Sequence, residues 1–484
     1  MIATARLEAW LYERNVPFTW IGNPPEGFVA LRVDSRDVGP GDLFVAITGT
    51  GADGHDYVPS AVRAGATAVV VERPVETDVP VLRVDDTRLM LAHLALATRG
   101  DPGKRLSLVG VTGTNGKTTT SLILRHVLGG LGPAAGLGTL GLWLPDGARC
   151  ERGRITTPGP LALAADLEQA LDAGAKWLVM EVSSHALDQK RVNGLVYDAA
   201  IFTNLSHEHL DYHPDMDAYR SAKLALLELL RSDGVAIVNL DEPAWRGADF
   251  LERRVVTFGL SADADVRASH IVASAMGSRW QLHTPSGRTP VTLPLLGDFN
   301  VHNALAAAAA GWALGLDPGS IASRLASTPQ VPGRMERLAG PPGPLVLRDY
   351  AHTPDGLALA LAALRPFAER RLTVVFGCGG DRDRTKRPLM GQVAVTGADR
   401  VVLTTDNPRT ESLDQILADI VGGQPGSFEV IRDRADAIED AVTSAGPGDV
   451  VLLAGKGHET YQDVEGEKLP FDEAEIVARL GGRS

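Results

Sequence analysis

A short apolar run, Leu106-Ser-Leu-Val-Gly-Val111, breaks into Thr112-Gly-Thr-Asn-Gly-Lys-Thr118, and a helical pattern carrying Leu122, Leu124, Val127 and Leu128 follows at once. No other feature restricts the fold as much. A buried strand that ends in a glycine-rich turn and runs straight into a helix belongs to α/β architecture. Glycines let backbone N–H groups approach phosphate oxygens, and a helix N-terminus favours anions. Lys117 supplies a point charge for the β- and γ-phosphates, and the Thr118 hydroxyl can coordinate Mg²⁺. The strict phosphate-loop pattern asks for glycine where Val111 stands, with Gly110 one residue earlier, so the loop is a variant. The bland alternative is a glycine-rich turn without a ligand, but strand, loop, Lys-Thr and helix stand in the required order. The dipeptide Asn-Lys occurs nowhere, so the guanine-reading element of signalling GTPases is missing and ATP is the expected nucleotide.

The rest of the chain repeats the alternation. Strand-like runs at Leu43–Ile47, Thr67–Val71 and Val79–Val84 precede the loop, while WLVMEV (177–182) and DAAIFTN (198–204) follow it. Beyond Pro332-Gly333-Arg334 come four strand-then-turn units, LVLRDYAH, LTVVFGCGG, RVVLTTDNP and DVVLLAGKG, which read as a second α/β sheet. The chain has 484 residues, and about 150 per domain gives roughly three domains. The expected boundaries are 1–105, 106–333 and 334–484. Ligands of such sheets gather at the carboxyl ends of strands, where these motifs sit.

Charge and cysteine content remove several functions. With 47 Lys plus Arg against 60 Asp plus Glu, the net charge of −13 disfavours nucleic acid and anionic membrane surfaces. The most apolar stretch, Ala304–Leu316, is 13 residues of mostly alanine and reads as a buried helix, so no membrane insertion is expected. Two cysteines, Cys150 and Cys378, make neither a disulfide framework nor a four-thiolate zinc site, and the cytoplasm is the natural compartment. Cys378 reads as a small buried residue, not a nucleophile.

Two segments carry further chemistry. Glu181-Val-Ser-Ser-His185 follows one strand, and Asn204-Leu-Ser-His-Glu-His-Leu-Asp-Tyr-His213 follows the next. Three histidines and two acids in seven residues admit a zinc site. Beside a phosphate loop they also suit Mg²⁺ held by one imidazole with carboxylate and phosphate oxygens, and structural histidines remain a third reading. His207 and His213 are the weakest ligand candidates. Lys223, in DAYRSAKLALLELL, reads on its own as a surface lysine.

Ten motifs in fixed order carry a resemblance: GTNGKTTT, EVSSHAL, FTNLSHEHLDYH, YRSAK, LLGDFNVHNALAA, VPGRME, DYAHTPD, GCGGDRDRTKRPLM, DNPR and AGKGHE. Together they span the chain, which resembles the Mur ligases of peptidoglycan synthesis, within them the branch adding a diamino acid to UDP-N-acetylmuramoyl-L-alanyl-D-glutamate. The resemblance implies a three-domain α/β architecture: a UDP-substrate domain, a central domain with a mostly parallel phosphate-loop sheet, and a C-terminal Rossmann-like domain. It also implies a cytoplasmic, monomeric ligase of cell-wall biogenesis, with consequences for cell shape and division. ATP would phosphorylate the D-glutamate γ-carboxylate, and an amine would attack the acyl phosphate. Gly113, Thr114, Asn115, Gly116, Lys117, Thr118 and Thr119 would bind ATP, with Asn300, Asn303 and His352 contacting the nucleotide. Thr118, Glu181, His209 and a Lys223 carbamylated by CO₂ would hold Mg²⁺, so that Lys117, His209 and Lys223 count as catalytic. Ser35, Thr156, Thr157, Ser183, Gln189 and Arg191 would contact the UDP-muramoyl dipeptide. Gly159 departs from the acidic residue common after the TTP of this family. Arg334 would act at a hinge.

For the amine, the resemblance points to Arg382, Asp406, Asn407, Pro408, Arg409, Gly455 and Glu459. An arginine after a Pro-stiffened turn can grip a carboxylate through two parallel hydrogen bonds. Meso-diaminopimelate has a distal carboxylate, whereas lysine and ornithine lack one, so DNPR favours diaminopimelate. Pairing of Arg409 with a protein carboxylate, and ornithine or lysine as substrate, are the competing readings. More distant ones are a folylpolyglutamate synthetase-like ligase, a phosphate-loop switch ATPase and a nucleotide-binding scaffold.

Overall fold

The computed structural model describes residues 2–49, 51–151, 155–422 and 428–481. It divides into two compact units, Met1–Asp265 with Ala306–Leu316, and Val266–Leu305 with Asp317–Ser484.

Beside the two-stranded pair Ile2–Ala3 with Gly27–Phe28, the first unit holds two main sheets. The smaller runs in the order Thr19–Ile21, Val81–Arg83, Ala68–Val71, Leu43–Val45, Leu31–Arg32 and is parallel except at its first pair. Leu43, Val45, Ala68, Val70 and Leu82 pack there against Leu7, Leu11, Met90 and Leu94 of the flanking helices. The three runs singled out in the sequence are thus neighbours in one sheet. In the larger sheet Ser107–Thr112 lies between Trp177–Glu181 and Tyr197–Phe202, with Ala134–Gly138 beyond the former and Leu230–Asn239 and Arg254–Gly259 beyond the latter. These strands are parallel, and an antiparallel ribbon, Gly141–Trp143 and Arg149–Cys150, follows Ala134–Gly138. Continuous apolar runs form them because a parallel strand covered on both faces has no solvent side. Register aligns the strand ends: Val111 pairs with Glu181 on one side and Ile201 on the other. Loops leaving these ends converge, which is where the chemistry collects.

The second unit carries the antiparallel ribbon Val266–Ser274, Gly277–Thr284, Gly287–Leu293 and a six-stranded sheet. That sheet runs Glu336–Ala339, Leu345–Asp349, Val450–Ala454, Leu372–Phe376, Arg400–Leu403, Glu429–Val430, all parallel but the first. Alternate residues feed opposite cores: Leu347, Val374, Phe376, Leu403 and Leu452 on one face, and Val346, Val375, Val402, Val451 and Leu453 on the other. Two-fold strand periodicity with apolar residues on both faces requires helices on both, the doubly wound arrangement. Among the described residues no helix is long and apolar enough to cross a membrane.

Candidate active site

The phosphate loop joins Ser107–Thr112 to the helix Lys117–Leu128. Gly113 and Gly116 have φ of 146° and 83°, a region that favours glycine. Close approach adds a second reason at Gly113, where a Cβ would lie 1.9 Å from Thr203 Oγ1. The next strand's exit clamps the loop. The Thr203 hydroxyl donates to the Asn115 carbonyl at 2.8 Å, the Asn115 N–H to Asn204 Oδ1 at 2.8 Å, and the Thr114 N–H to the Asn204 carbonyl at 2.8 Å. Lys117 Nζ bridges the Gly113 and Thr114 carbonyls at 3.0 and 2.8 Å. Its charge therefore lies along the rim of the loop.

Thr118 points to Glu181, donating its hydroxyl to Oε2 at 2.9 Å. Glu181 is 2% exposed. Its other contacts are the Thr139 N–H at 2.8 Å and the Thr139 hydroxyl at 3.2 Å. Gly138 makes this fit possible, since a Cβ there would stand 2.1 Å from Glu181 Oε1. Among the described residues no Lys, Arg or His pairs with this carboxylate.

The dipeptide candidates join the same network. Thr157 donates to the Glu181 carbonyl at 2.9 Å and accepts the Ser183 N–H at 3.0 Å, while Ser183 caps the helix Ser184–Asp188. Thr156 Oγ1 stands 3.2 Å from the Thr139 hydroxyl oxygen. Arg191 donates to Gln189 Oε1 at 2.7 and 3.1 Å and to the Thr157 carbonyl at 3.0 Å, all neutral acceptors. Burial pulls its pKa below the ordinary arginine value. Ser35 lies apart in the smaller sheet's region, half-buried at the start of the 3₁₀ turn Ser35–Asp37.

The histidine-rich segment forms a ring cluster. His185 packs on His209, Tyr212 and His213 with centroids at 4.9, 4.1 and 5.5 Å. His213 is buried and meets Ser184 Oγ at 3.0 Å. Among the described residues no group of three or more His, Cys, Asp or Glu is placed to hold a metal, so the zinc reading finds no protein cage. His209, held mainly by desolvation and then by the neighbouring Lys117 and Lys223, stays below the usual imidazole value despite Glu208. Lys223 overturns its reading as a surface lysine. It is 1% exposed, donates to the Gly113 carbonyl at 2.9 Å, and lies 4.3 Å over the Tyr219 ring. Burial, and then the neighbouring Lys117 charge, push its pKa down to about 6. Near neutral pH its amine is therefore largely uncharged and nucleophilic.

The second unit carries the other candidates. Asn300 is buried in the helix Asp298–Ala313, donates to the Leu296 carbonyl at 2.8 Å and accepts from Asn303 at 2.9 Å. His352 is exposed, with Nδ1 2.6 Å from the Tyr350 carbonyl. Arg334 lies inside this unit, its guanidinium 4.9 Å over Tyr350. Asp406, Asn407 and Glu459 are buried together with Lys456. Asn407 donates to Glu459 Oε2 at 2.7 Å, and its oxygen accepts from Lys456 at 3.0 Å and from the Asp463 N–H at 2.9 Å. Gly455 has φ of 107°, and a Cβ there would approach Asp406 Oδ2 to 2.7 Å. Past Pro408 the backbone turns left-handed at Arg409, φ 51°. Arg409 Nη1 donates to the Gly380 carbonyl, and Nε stands 3.7 Å from Asp463 Oδ2. Arg382 is exposed beside the same loop. Cys378 is buried, its thiol pushed up to about 12 by that burial.

Thr139, Tyr219, Lys456 and Asp463 were not singled out in the sequence. Of these, Lys456 had a signal available, since it stands between Gly455 and Glu459 in AGKGHE. Tyr219 likewise opens YRSAK, whereas Thr139 and Asp463 are ordinary residue types outside the motifs.

Comparison with known proteins agrees along the chain. Residues 28–99 match the Mur ligase family catalytic domain, 111–311 the Mur ligase middle domain, and 333–457 the Mur ligase glutamate ligase domain. The chain is 45% identical over 476 residues to UDP-N-acetylmuramoyl-L-alanyl-D-glutamate–2,6-diaminopimelate ligase of Geobacillus thermodenitrificans, covering 96% of each. The protein of that name from Synechococcus elongatus is 46% identical over 467 residues, 93% of each chain. A solved structure of a ligase with the same name is similar with a TM-score of 0.68 at 33% identity, covering 95% of this chain and 96% of that one.

Proposed function

The chain belongs to the Mur ligase family and is an ATP-dependent amide ligase of peptidoglycan-precursor synthesis, and from that premise we propose that the amine it adds is meso-2,6-diaminopimelate. The acceptor in this reading is the D-glutamate γ-carboxylate of UDP-N-acetylmuramoyl-L-alanyl-D-glutamate. One observation carries the choice of amine. Arg409 is fixed by its left-handed turn and by the Gly380 carbonyl on Nη1, while Nε and Nη2 donate to no acceptor within hydrogen-bond range among the described residues. Those two donors form the edge that clasps a carboxylate in parallel. Diaminopimelate offers a carboxylate at its far end, and lysine and ornithine do not.

The remaining roles follow from charge. A carboxylate does not condense with an amine in water, so it is first activated as an acyl phosphate, a transfer that needs positioning and charge neutralisation above all. In this proposal Gly113 to Thr119 cradle the ATP phosphates, Lys117 neutralises transferring charge, and Asn300, Asn303 and His352 contact the nucleotide. Ser35, Thr156, Thr157, Ser183, Gln189 and Arg191 hold the UDP-muramoyl dipeptide, the last supplying a cation that no carboxylate among the described residues pairs with. Arg382, Asp406, Asn407, Pro408, Arg409, Gly455 and Glu459 receive the amine. Residues 1–105, 106–333 and 334–484 divide these tasks, and the enzyme works as a cytoplasmic monomer.

Mg²⁺ fits the residues present. Glu181 is a buried carboxylate without a cationic partner, and beside it stands the Thr118 hydroxyl. Thr118, Glu181, His209 and a carbamylated Lys223 would hold the metal, which when bound neutralises phosphate charge. Carbamylation needs an uncharged amine, the form that the burial of Lys223 favours. The test is phosphate release from ATP with each substrate omitted in turn, and with diaminopimelate, ornithine and lysine in parallel. Release only with all three substrates, fastest with diaminopimelate, is expected. Faster turnover of ornithine or lysine overturns the choice of amine.

A further inference from the structure

The strand Tyr461–Val464, half of a hairpin with Glu467–Pro470, is sewn to the Asp406–Arg409 turn. The Asp463 N–H donates to Asn407 Oδ1 at 2.9 Å, and the Asp463 carbonyl accepts the Arg409 N–H at 2.9 Å. Two residues on, the Glu465 N–H donates to the Arg409 carbonyl at 2.8 Å. These bonds fix the Asp463 backbone against the turn.

Its side chain is less well served. Oδ1 is enclosed and accepts no hydrogen bond among the described residues. Oδ2 has a single charged neighbour, Arg409 Nε, at 3.7 Å, beyond hydrogen-bond range. A carboxylate can accept about four hydrogen bonds, and a partly enclosed one left with none carries a desolvation cost. Arg409 is under-used in the same way, with one nitrogen bonded. Had the two been meant for each other, the fork geometry of Arg and Asp would close into a bidentate pair. Instead they are held apart, with side chains 16% and 19% exposed, each short of a partner. An anion and a cation fixed side by side, both unsatisfied, complement a group that bears an ammonium and a carboxylate on one carbon.

We propose that Asp463 is a specificity-determining residue that accepts the distal ammonium of the diamino acid, while Arg409 takes the distal carboxylate. The Arg409 half rests on the diaminopimelate reading. The Asp463 half does not, because the side-chain ammonium of lysine or ornithine would meet the same carboxylate.

Three amines separate the two contacts: meso-diaminopimelate, L-lysine, which is the same chain without the distal carboxylate, and L-2-aminopimelate, which lacks the distal ammonium. Asp463→Asn is nearly isosteric and removes the charge. It should lower kcat/KM for diaminopimelate and lysine by about tenfold or more, the worth of a charge-assisted hydrogen bond. For 2-aminopimelate the change should stay within about twofold, as should KM for ATP. Arg409→Ala should give the converse pattern, penalising diaminopimelate and 2-aminopimelate and sparing lysine. Where turnover is too slow, Ki against diaminopimelate replaces kcat/KM. Equal losses on all three amines with Asp463→Asn, or none on diaminopimelate, would overturn the assignment. A wild-type preference for lysine would instead overturn the diaminopimelate reading, and the Asp463→Asn loss on lysine would still report on Asp463.

Discussion

Replacing Glu181 by Gln should leave the protein as hard to melt as before and abolish its response to Mg²⁺. The carboxylate is 2% exposed and takes three hydrogen bonds, from the Thr139 N–H and the Thr118 and Thr139 hydroxyls, all neutral donors. Burying it costs several kcal/mol, and bonds to a charged acceptor recover about 1.5–3 kcal/mol each, so the metal-free site is close to balance. Glutamine has the same shape. Its oxygen keeps the Thr139 N–H, and its amide can donate to hydroxyls that rotate, with Thr156 Oγ1 as an acceptor for Thr139. The expected stability change in EDTA is within about 1 kcal/mol, or roughly 2–4 °C in Tm. MgADP at 100 times its Kd should raise wild-type stability by about 2.7 kcal/mol, and the variant should gain little beyond what ADP alone provides. Turnover should fall about a hundredfold or more, as for loss of a charge that organises phosphoryl transfer. Melting curves in EDTA, ADP and MgADP, with phosphate release alongside, make the measurement. A variant that melts far below wild type in EDTA would make Glu181 a structural keystone, and one that retains the MgADP shift would remove it from the metal site.

Two further substitutions probe each end of the reaction. Lys456→Met deletes a fully buried ammonium that holds Asn407 Oδ1 at 3.0 Å and Glu459 Oε2 at 3.5 Å. Breaking such a pair costs about 3–5 kcal/mol, so Tm should fall while KM for diaminopimelate rises and KM for ATP does not; equal KM changes would show general damage. Gly113→Ala places a Cβ 1.9 Å from Thr203 Oγ1 at a φ of 146°. Calorimetry with an ATP analogue should show affinity at least about tenfold weaker, with the affinity for the amine unchanged, because the clash and the strain both fall on the loop.

How far the sequence could be read depended on how local each signal was. Ser107–Thr112, Trp177–Glu181 and Leu372–Phe376 were legible as strands because their apolar runs are unbroken, and the phosphate loop because its residues are consecutive. Even the departure at Val111 has a local cause: the residue is still in the strand, paired with Glu181 and Ile201 and fully buried, so no glycine is called for there. The histidine-rich segment left a zinc reading open beside Mg²⁺ because density in sequence is not convergence in space; His185 stacks on its neighbours' rings. Lys223 was illegible alone because its burial depends on Gly113, 110 residues away. The bond of Lys456 to Asn407 and the placing of Asp463 beside Arg409 likewise cross tens of residues.

Charge shows the same limit most clearly. A net charge of −13 would suggest that each arginine finds an acid. Three buried ones do: Arg387 binds Glu411 and Asp419, Arg348 binds Glu336 and Asp472, and Arg434 binds Glu473. Arg191 instead faces neutral oxygens, and Arg409 has its acid at 3.7 Å. In the proposed function, these two cations without a hydrogen-bonded carboxylate would be available to anionic ligands. A count of charges gives no hint of this. Lack of a close acid is not by itself the mark of a binding cation, since among the described residues Arg125 and Arg337 also donate only to carbonyls, those of Leu144 and Ala275; what sets Arg191 and Arg409 apart is their place among the residues proposed to hold the dipeptide and the amine.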